Sequence, residues 1–301
     1  MTTDRHSGVS RRSFVLGLTA GAVAGSVTRP SSEAAEQAPR PGKVTVAGIV
    51  QPRVRWDKEK AYREAEALIR RAAERGAQIA CLPEGALEGY IVQEEGLTAE
   101  RYRSIGESVE DGEYVRRFRE LARSLGIYLV PGFAERAGRK MHNACLLIGP
   151  DGDIIGHYRK THLMHREPLN EAGSEFPVYD LPWGRIGMMI CFDRQPPETA
   201  RIFAVKGADL ILNPAAGSHG GMNDIMMRTR AYENSLHIAF VHFEDCLLIN
   251  ARGAIVARYE PGDRVVMAEL DLAENRGRLL KYRKPELYDE LTARERPRTP
   301  D

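Results

Sequence analysis

Residues 184–212 read GRIGMMICFDRQPPETARIFAVKGADLIL, and the reading of this stretch decides the fold. The apolar run from Ile186 to Cys191 is short enough for a buried strand. A helix then opens near Pro197 and runs to Lys206, and Leu210-Ile211-Leu212 forms a second apolar run. Strand, helix and strand in succession belong to the α/β class.

The same alternation extends in both directions. Upstream, Val44 to Val50 reads as a strand, and Asp57 stands as a cap before an amphipathic helix from Lys58 to Arg75. In that helix Ala61, Ala65, Leu68, Ile69 and Ala72 share one face and Gly76 closes the end. Ile79 to Pro83 is the next strand, Tyr114 to Leu125 a helix stopped by Gly126, and Ile127 to Phe133 another strand. Asn143 to Ile148 and Ile154 to Tyr158 flank Pro150-Asp151-Gly152-Asp153, whose turn chemistry makes them a hairpin. Downstream, Met222 to Leu236 is a helix and His237 to Phe243 a strand. A second hairpin, with Asn250-Ala251-Arg252-Gly253 at its turn, runs on to Val265–Asp271. Hairpins set among βα units imply mixed sheets. With no internal repeat and no change of composition between 43 and 271, one α/β domain is expected over 41–275, followed by a tail, 276–301, that could form an interface.

The chain has 301 residues, 43% of them hydrophobic and 28% charged, enough to bury a large core. Lys plus Arg number 43 against 42 Asp plus Glu, a balance without the basic footprint of a nucleic-acid or anionic-membrane binder. Small molecules or other proteins are the expected partners. Residues 1–40 have a different character. Ser10-Arg11-Arg12-Ser13-Phe14 leads into an uncharged, Gly- and Ala-rich run to Thr28, shorter than the ~20 strongly apolar residues a membrane-spanning helix needs. The Arg pair before an apolar segment, with small residues at Ala34, Ala35 and Ala38, resembles a twin-arginine export signal followed by a Pro-containing linker. Export without a permanent membrane anchor is therefore expected. Removal of residues 1–35 would take four basic and two acidic groups and leave 39 positive and 40 negative ones. The four cysteines, at 81, 145, 191 and 246, are too sparse for a disulfide framework and are expected to be thiols.

Three chemically different groups stand at strand ends, where α/β sheets place their sites. Cys191 ends the run Gly187-Met188-Met189-Ile190, just before a turn and a helix start. The helix dipole and a nearby base there would favour the thiolate over a thiol of ordinary pKa ~8.5. Glu84 follows Cys81-Leu82-Pro83, and Lys160 ends the strand through Tyr158. A carboxylate can take the thiol proton and return it to a leaving amine. An ammonium can hold the oxyanion that forms when a carbonyl or nitrile carbon is attacked. Taken singly, a cysteine here is more often a core residue, and spacing alone allows Glu84 and Lys160 to be surface charges.

Together these residues resemble the nitrilase, or carbon–nitrogen hydrolase, superfamily and its Glu-Lys-Cys triad. Leu82-Pro83-Glu84 with Gly89-Tyr90 is similar to the first family motif, and Tyr158-Arg159-Lys160-Thr161-His162-Leu163 to the second. Ile190-Cys191-Phe192-Asp193, continued by Pro197-Glu198 and Arg201, is similar to the third. Gly187, Asn213-Pro214 and Arg230-Ala231-Tyr232-Glu233-Asn234 also fall where the family places similar residues. The resemblance implies an αββα sandwich with mixed sheets that assembles as a homodimer or larger homo-oligomer and uses no metal or organic cofactor. It implies Cys191 as nucleophile, Glu84 as acid and base, and Lys160 with the backbone N–H of Phe192 as oxyanion donors. It also implies a supporting second glutamate, for which Glu167 is the match, with Glu171 and Glu175 in the same loop. The implied reaction is hydrolysis of a small linear amide or N-carbamoyl compound through a thioester, releasing ammonia. Nitrile hydrolysis, acyl transfer and a non-catalytic binding relative are the alternatives.

Arg194-Gln195-Pro196 departs from the aromatic that relatives often carry there, which puts the substrate pocket in question. Arg194 and Tyr90 are the candidate substrate contacts, Arg194 for a carboxylate. His162, His165, His219, His237 and His242 show no metal-ligand spacing. Gly217-Ser218-His219-Gly220-Gly221 lacks the ending of a phosphate loop and reads as a flexible loop at a pocket rim. Tyr232-Glu233-Asn234 reads as a helix-packing motif.

Overall fold

The computed structural model describes residues 42–274 and 276–292; the leader expected at 1–40 lies outside them. In chain order the first half comprises β1 (Lys43–Ile49), α1 (Lys58–Glu74), β2 (Ile79–Cys81), α2 (Ala99–Ile105), α3 (Glu113–Leu125), β3 (Tyr128–Val130), β4 (Gly132–Ala137), β5 (Lys140–Ile148) and β6 (Ile154–Arg159). The second half comprises β7 (Val178–Leu181), β8 (Gly184–Met188), α4 (Pro197–Val205), β9 (Leu210–Pro214), α5 (Gly221–Asn234), β10 (His237–Val241), β11 (Cys246–Ile249), β12 (Ile255–Arg258) and β13 (Val265–Asp271). Asp57 caps α1 by accepting from the N–H of Lys60, and Gly126 ends α3 in the left-handed region at φ 65.

These strands form two mixed sheets. One has the order β13-β1-β2-β3-β5-β4 with β6 also on β5, and the other the order β12-β11-β10-β9-β8-β7. In each, three central strands run parallel and the outer pairings are antiparallel. The strand period of two sorts the side chains of β1. Val44 and Val46 join a core shared with Met188, Leu212 and Leu248 of the second sheet, whereas Ala47 and Ile49 pack with Tyr62, Ile69 and Phe118 of α1 and α3. Ala200 and Phe203 of α4, with Met227 and Ala231 of α5, join the core on the second sheet's side. The layers therefore run helix, sheet, sheet, helix. Gly48 marks their closest approach: a Cβ there would lie 2.2 Å from Sγ of Cys246, so any side chain would wedge the sheets apart. All four cysteines are buried and unpaired. No helix among the described residues is long and apolar enough to cross a membrane.

Several expectations need correction. The run 127–133 is two strands, because Pro131 offers no N–H to continue the ladder. The strand before Cys191 ends at Met188. β13 does not extend the second hairpin but crosses to the first sheet and pairs antiparallel with β1, Lys43 opposite Asp271. Two elements carry too little pattern to read. α2 buries a single side chain, Tyr102, and β7 lies in a polar stretch and is held by its pairing with β8.

Candidate active site

Glu84, Lys160 and Glu167 meet in the interior, each 1% exposed or less. Each arrives by a separate route. Glu84 follows β2, whose exit is fixed by the Leu82 N–H donating to Val130. Lys160 follows β6, and its own N–H donates to the Asn143 carbonyl at 2.8 Å. Glu167 sits in a turn closed by the Asn170 N–H on its carbonyl. The Lys160 ammonium donates to Oε1 of Glu84 at 2.8 Å and to Oε2 of Glu167 at 2.7 Å. The amide of Asn143 bridges the same carboxylates from β5, donating to Glu84 Oε1 at 2.7 Å and Glu167 Oε1 at 3.1 Å. Burial alone lowers the Lys160 pKa, but Glu84, Cys191 and Glu167 outweigh it and hold the ammonium above its ordinary value. Oε2 of Glu84 is buried with no partner among the described residues, so one oxygen of this carboxylate is free for proton transfer. Glu171 and Glu175 are exposed, which singles out Glu167 within its loop.

Cys191 opens a 3-10 turn, Cys191–Arg194, with φ 43 in the left-handed region. Asp193 imposes this turn. Its Oδ2 accepts from the Ile190 N–H at 2.9 Å and the Tyr158 hydroxyl at 2.7 Å. Its Oδ1 accepts from Thr161 at 2.8 Å and from the His162 N–H at 2.8 Å. One buried carboxylate thus ties the cysteine turn to the segment that carries Lys160. Phe192, second in the turn, has no carbonyl within the turn for its N–H to reach, which leaves that donor available. The backbone of Ala216 bears on the Cys191 thiol, favouring its charged form. A Cβ on Gly217 would lie 3.1 Å from that sulfur.

The expectation of a thiol poised toward thiolate is not met in the resting site. Burial and then the Glu84 charge push the Cys191 pKa up, against smaller downward pulls from Lys160, Arg194 and the Ala216 backbone. α4 begins at Pro197, after the 3-10 turn that Cys191 itself opens. Arg194 is tied into the site by its own hydrogen bonds. Its Nε donates to Asn223 at 2.9 Å, Nη2 to the Ser218 carbonyl at 2.6 Å, and Nη1 to Cys191 Sγ at 3.3 Å. With three of its five N–H donors engaged by the protein, Arg194 holds the 218 loop and the nucleophile. Tyr90 is buried, with the Lys160 ammonium 5.9 Å from its ring centroid. Burial and then the nearby Glu84, Glu167 and Cys191 drive its hydroxyl pKa upward.

The histidines behave less simply than their spacing suggests. His219, His242 and Glu244 come within reach of one ion. In His242, however, Nδ1 accepts from the Glu244 N–H at 3.0 Å, and burial pushes its pKa down to about 4. The neutral ring then carries its one proton on Nε2 and has no lone pair for a metal. Tyr232 is half-exposed rather than packed. Asn143 and Asp193 are the site residues whose roles the sequence reading missed. A polar amide inside the apolar run MHNACLLI was the available signal for Asn143.

With this geometry in view, the comparisons are specific. The family model described as carbon-nitrogen hydrolase matches residues 43–277. A nitrilase from Pyrococcus abyssi is 42% identical over 159 residues, a stretch covering 52% of this chain and 59% of that protein. An omega-amidase from Homo sapiens is 27% identical over 249 residues, covering 74% of this chain and 87% of that protein. Among solved structures, a carbon–nitrogen hydrolase from Helicobacter pylori G27 matches with a TM-score of 0.76 and 22% identity, covering 84% of this chain and 99% of that one.

Proposed function

The chain belongs to the carbon–nitrogen hydrolase family, and we propose that it hydrolyses a small linear amide or N-carbamoyl compound through a thioester on Cys191. The observation that carries this reading is the Glu84 carboxylate, one oxygen fixed by Lys160 and Asn143 and the other buried and free. In the proposed cycle that free oxygen takes the thiol proton as Sγ bonds to the carbonyl carbon. The raised thiol pKa means that proton transfer accompanies attack instead of preceding it. The Lys160 ammonium and the Phe192 N–H hold the oxyanion. Its collapse breaks the C–N bond, and Glu84 returns the proton to the departing ammonia. Glu84 then deprotonates a water that attacks the thioester, and the acid leaves as the thiol is reprotonated. Glu167 and Asn143 keep Lys160 and Glu84 aligned throughout.

Small acyl groups fit this reading because the Ala216–Gly217 backbone lies against the sulfur. The names of the human and Pyrococcus relatives motivate parallel amide and nitrile arms in the assay. Ammonia released in equal amount to the acid, and abolished by Cys191→Ala, supports the proposal; turnover retained in that variant defeats it. Two further expectations stand as proposals. Homodimerisation has support in the exposed Val205 of α4 and Met222, Ile225 and Tyr232 of α5, and a monomer in sedimentation would end it. Export rests on the Arg11-Arg12 pair, and unchanged localisation of an R11K/R12K variant would end that.

A further inference from the structure

At the end of the sandwich opposite Cys191 the two sheets leave a cavity of about 430 Å³. β1 starts there at Lys43 and β10 at His237, and β13 ends there at Asp271. Glu84 and Cys191 follow the far ends of β2, parallel to β1, and of β8, which runs in the same direction as β9 and β10. The seven residues of β1 set the two ends roughly 20 Å apart. One lining residue is unexplained by the fold. His237 is 1% exposed, and neither of its ring nitrogens has a hydrogen-bond partner among the described residues. Burial lowers its pKa, against smaller upward pulls from the Asp271 backbone, too poorly placed for a hydrogen bond, and from the charges of Glu274 and Asp271. The neutral ring offers one N–H and one lone pair. A buried polar group with no partner is costly, and a cavity at its side lets a ligand supply one.

The rest of the lining is acidic. Glu269 and Asp271, two apart on β13, share the cavity face, and Glu274 follows the strand. Lys43 is the one cation in the lining and donates to Oε1 of Glu269 at 2.8 Å, while Arg252 reaches Oε1 of Glu274 at 2.6 Å. Asp271 has no ion pair among the described residues, and its Oδ1 accepts from the Ala273 N–H at 3.0 Å. The second oxygen of each carboxylate is uncommitted. These acceptors are too far apart for three of them to meet on one metal ion, since among the described residues His219, His242 and Glu244 alone come that close. A cation that spreads several N–H donors along a chain suits them better, and Val256 supplies apolar surface for its methylene groups. We propose that this cavity binds a short aliphatic amine, whose ammonium groups pair with Asp271 and Glu274 and donate to the His237 ring.

The test titrates 1,4-diaminobutane into the full chain by isothermal calorimetry, beside butane-1,4-diol, which has the same length and no charge. Saturable binding of the diamine and none of the diol is expected. Asp271 is exposed, so Asp271→Asn should fold as the wild type does, and it should raise the Kd about 10-fold, the low end for a charged hydrogen bond. Glu274→Gln should weaken binding in the same direction. Histidine side-chain NMR, with the His237 signal identified by its loss in His237→Gln, should show that ring shifting as the diamine is added. Cys191→Ala should bind the diamine as the wild type does, because the catalytic cluster takes no part. Absence of saturable binding overturns the proposal, as does equal binding of the diol. A Kd unchanged in both carboxylate variants, a His237 signal that stays still, or binding lost in Cys191→Ala places the amine elsewhere and overturns it as well.

Discussion

Glu84→Gln separates the proton-transfer role of Glu84 from its structural one. The Gln carbonyl oxygen can accept from Lys160 and Asn143 as Oε1 now does at 2.8 and 2.7 Å, so the shape of the cluster should survive. What is lost is the free Oε2. One general acid–base group is typically worth ~10²–10⁴ in rate, about 2.7–5.5 kcal/mol of barrier. Because the proposed cycle uses Glu84 in both half-reactions, the loss should fall toward the upper end for hydrolysis. The substitution also takes a negative charge from beside a thiol whose pKa that charge helps to raise. Titrating the alkylation of Cys191 by iodoacetamide should therefore show its pKa moving down. The variant becomes a poorer enzyme with a more reactive cysteine. Folding should change little, since Glu84, Lys160 and Glu167 carry a formal charge of minus one and the variant cluster would be neutral. Lys160→Met has the opposite profile: it strands two buried carboxylates, and loss of one partner of a buried pair costs about 3–5 kcal/mol. Turnover within tenfold of wild type in Glu84→Gln, or a thiol pKa that rises, would refute the reasoning.

Other outcomes follow from single contacts. Gly217→Ala places a methyl where the sulfur is 3.1 Å away, at a backbone outside the left-handed region, so strain does not confound the result. Its kcat/KM should drop by about 10²-fold with little change in melting temperature, and unaltered kinetics would show that the acyl group lies elsewhere. His162 has its pKa raised first by its hydrogen bond to Asp193, and burial opposes this. Its ionic contribution to stability is complete below the unfolded value of ~6.5 and fades as pH rises through the higher folded value. Urea unfolding should accordingly show His162→Gln more destabilised near pH 5.5 than near pH 9, and the reverse order would show that the pair does not act through charge.

The parts legible in the sequence were those written in local pattern. Apolar periodicity and caps such as Asp57 and Gly126 fixed most helices and strands, and strand-end placement marked Glu84, Lys160 and Cys191. Pairing across distance was not legible. Nothing local to Val265–Asp271 directs it to β1, and no spacing shows that Asp193 ties the cysteine turn to Thr161 and His162. Sequence shows that Arg194 is a cation but not how many of its donors the protein already engages.

The central claim is covalent chemistry at Cys191, and mass spectrometry of the intact protein tests it most directly. Quenched within one turnover of mixing with a small amide, the wild type should gain the mass of the acyl group on the peptide containing Cys191, and Cys191→Ala should gain none. Hydrolysis without any acyl-enzyme, or an adduct on a residue other than Cys191, would contradict the account.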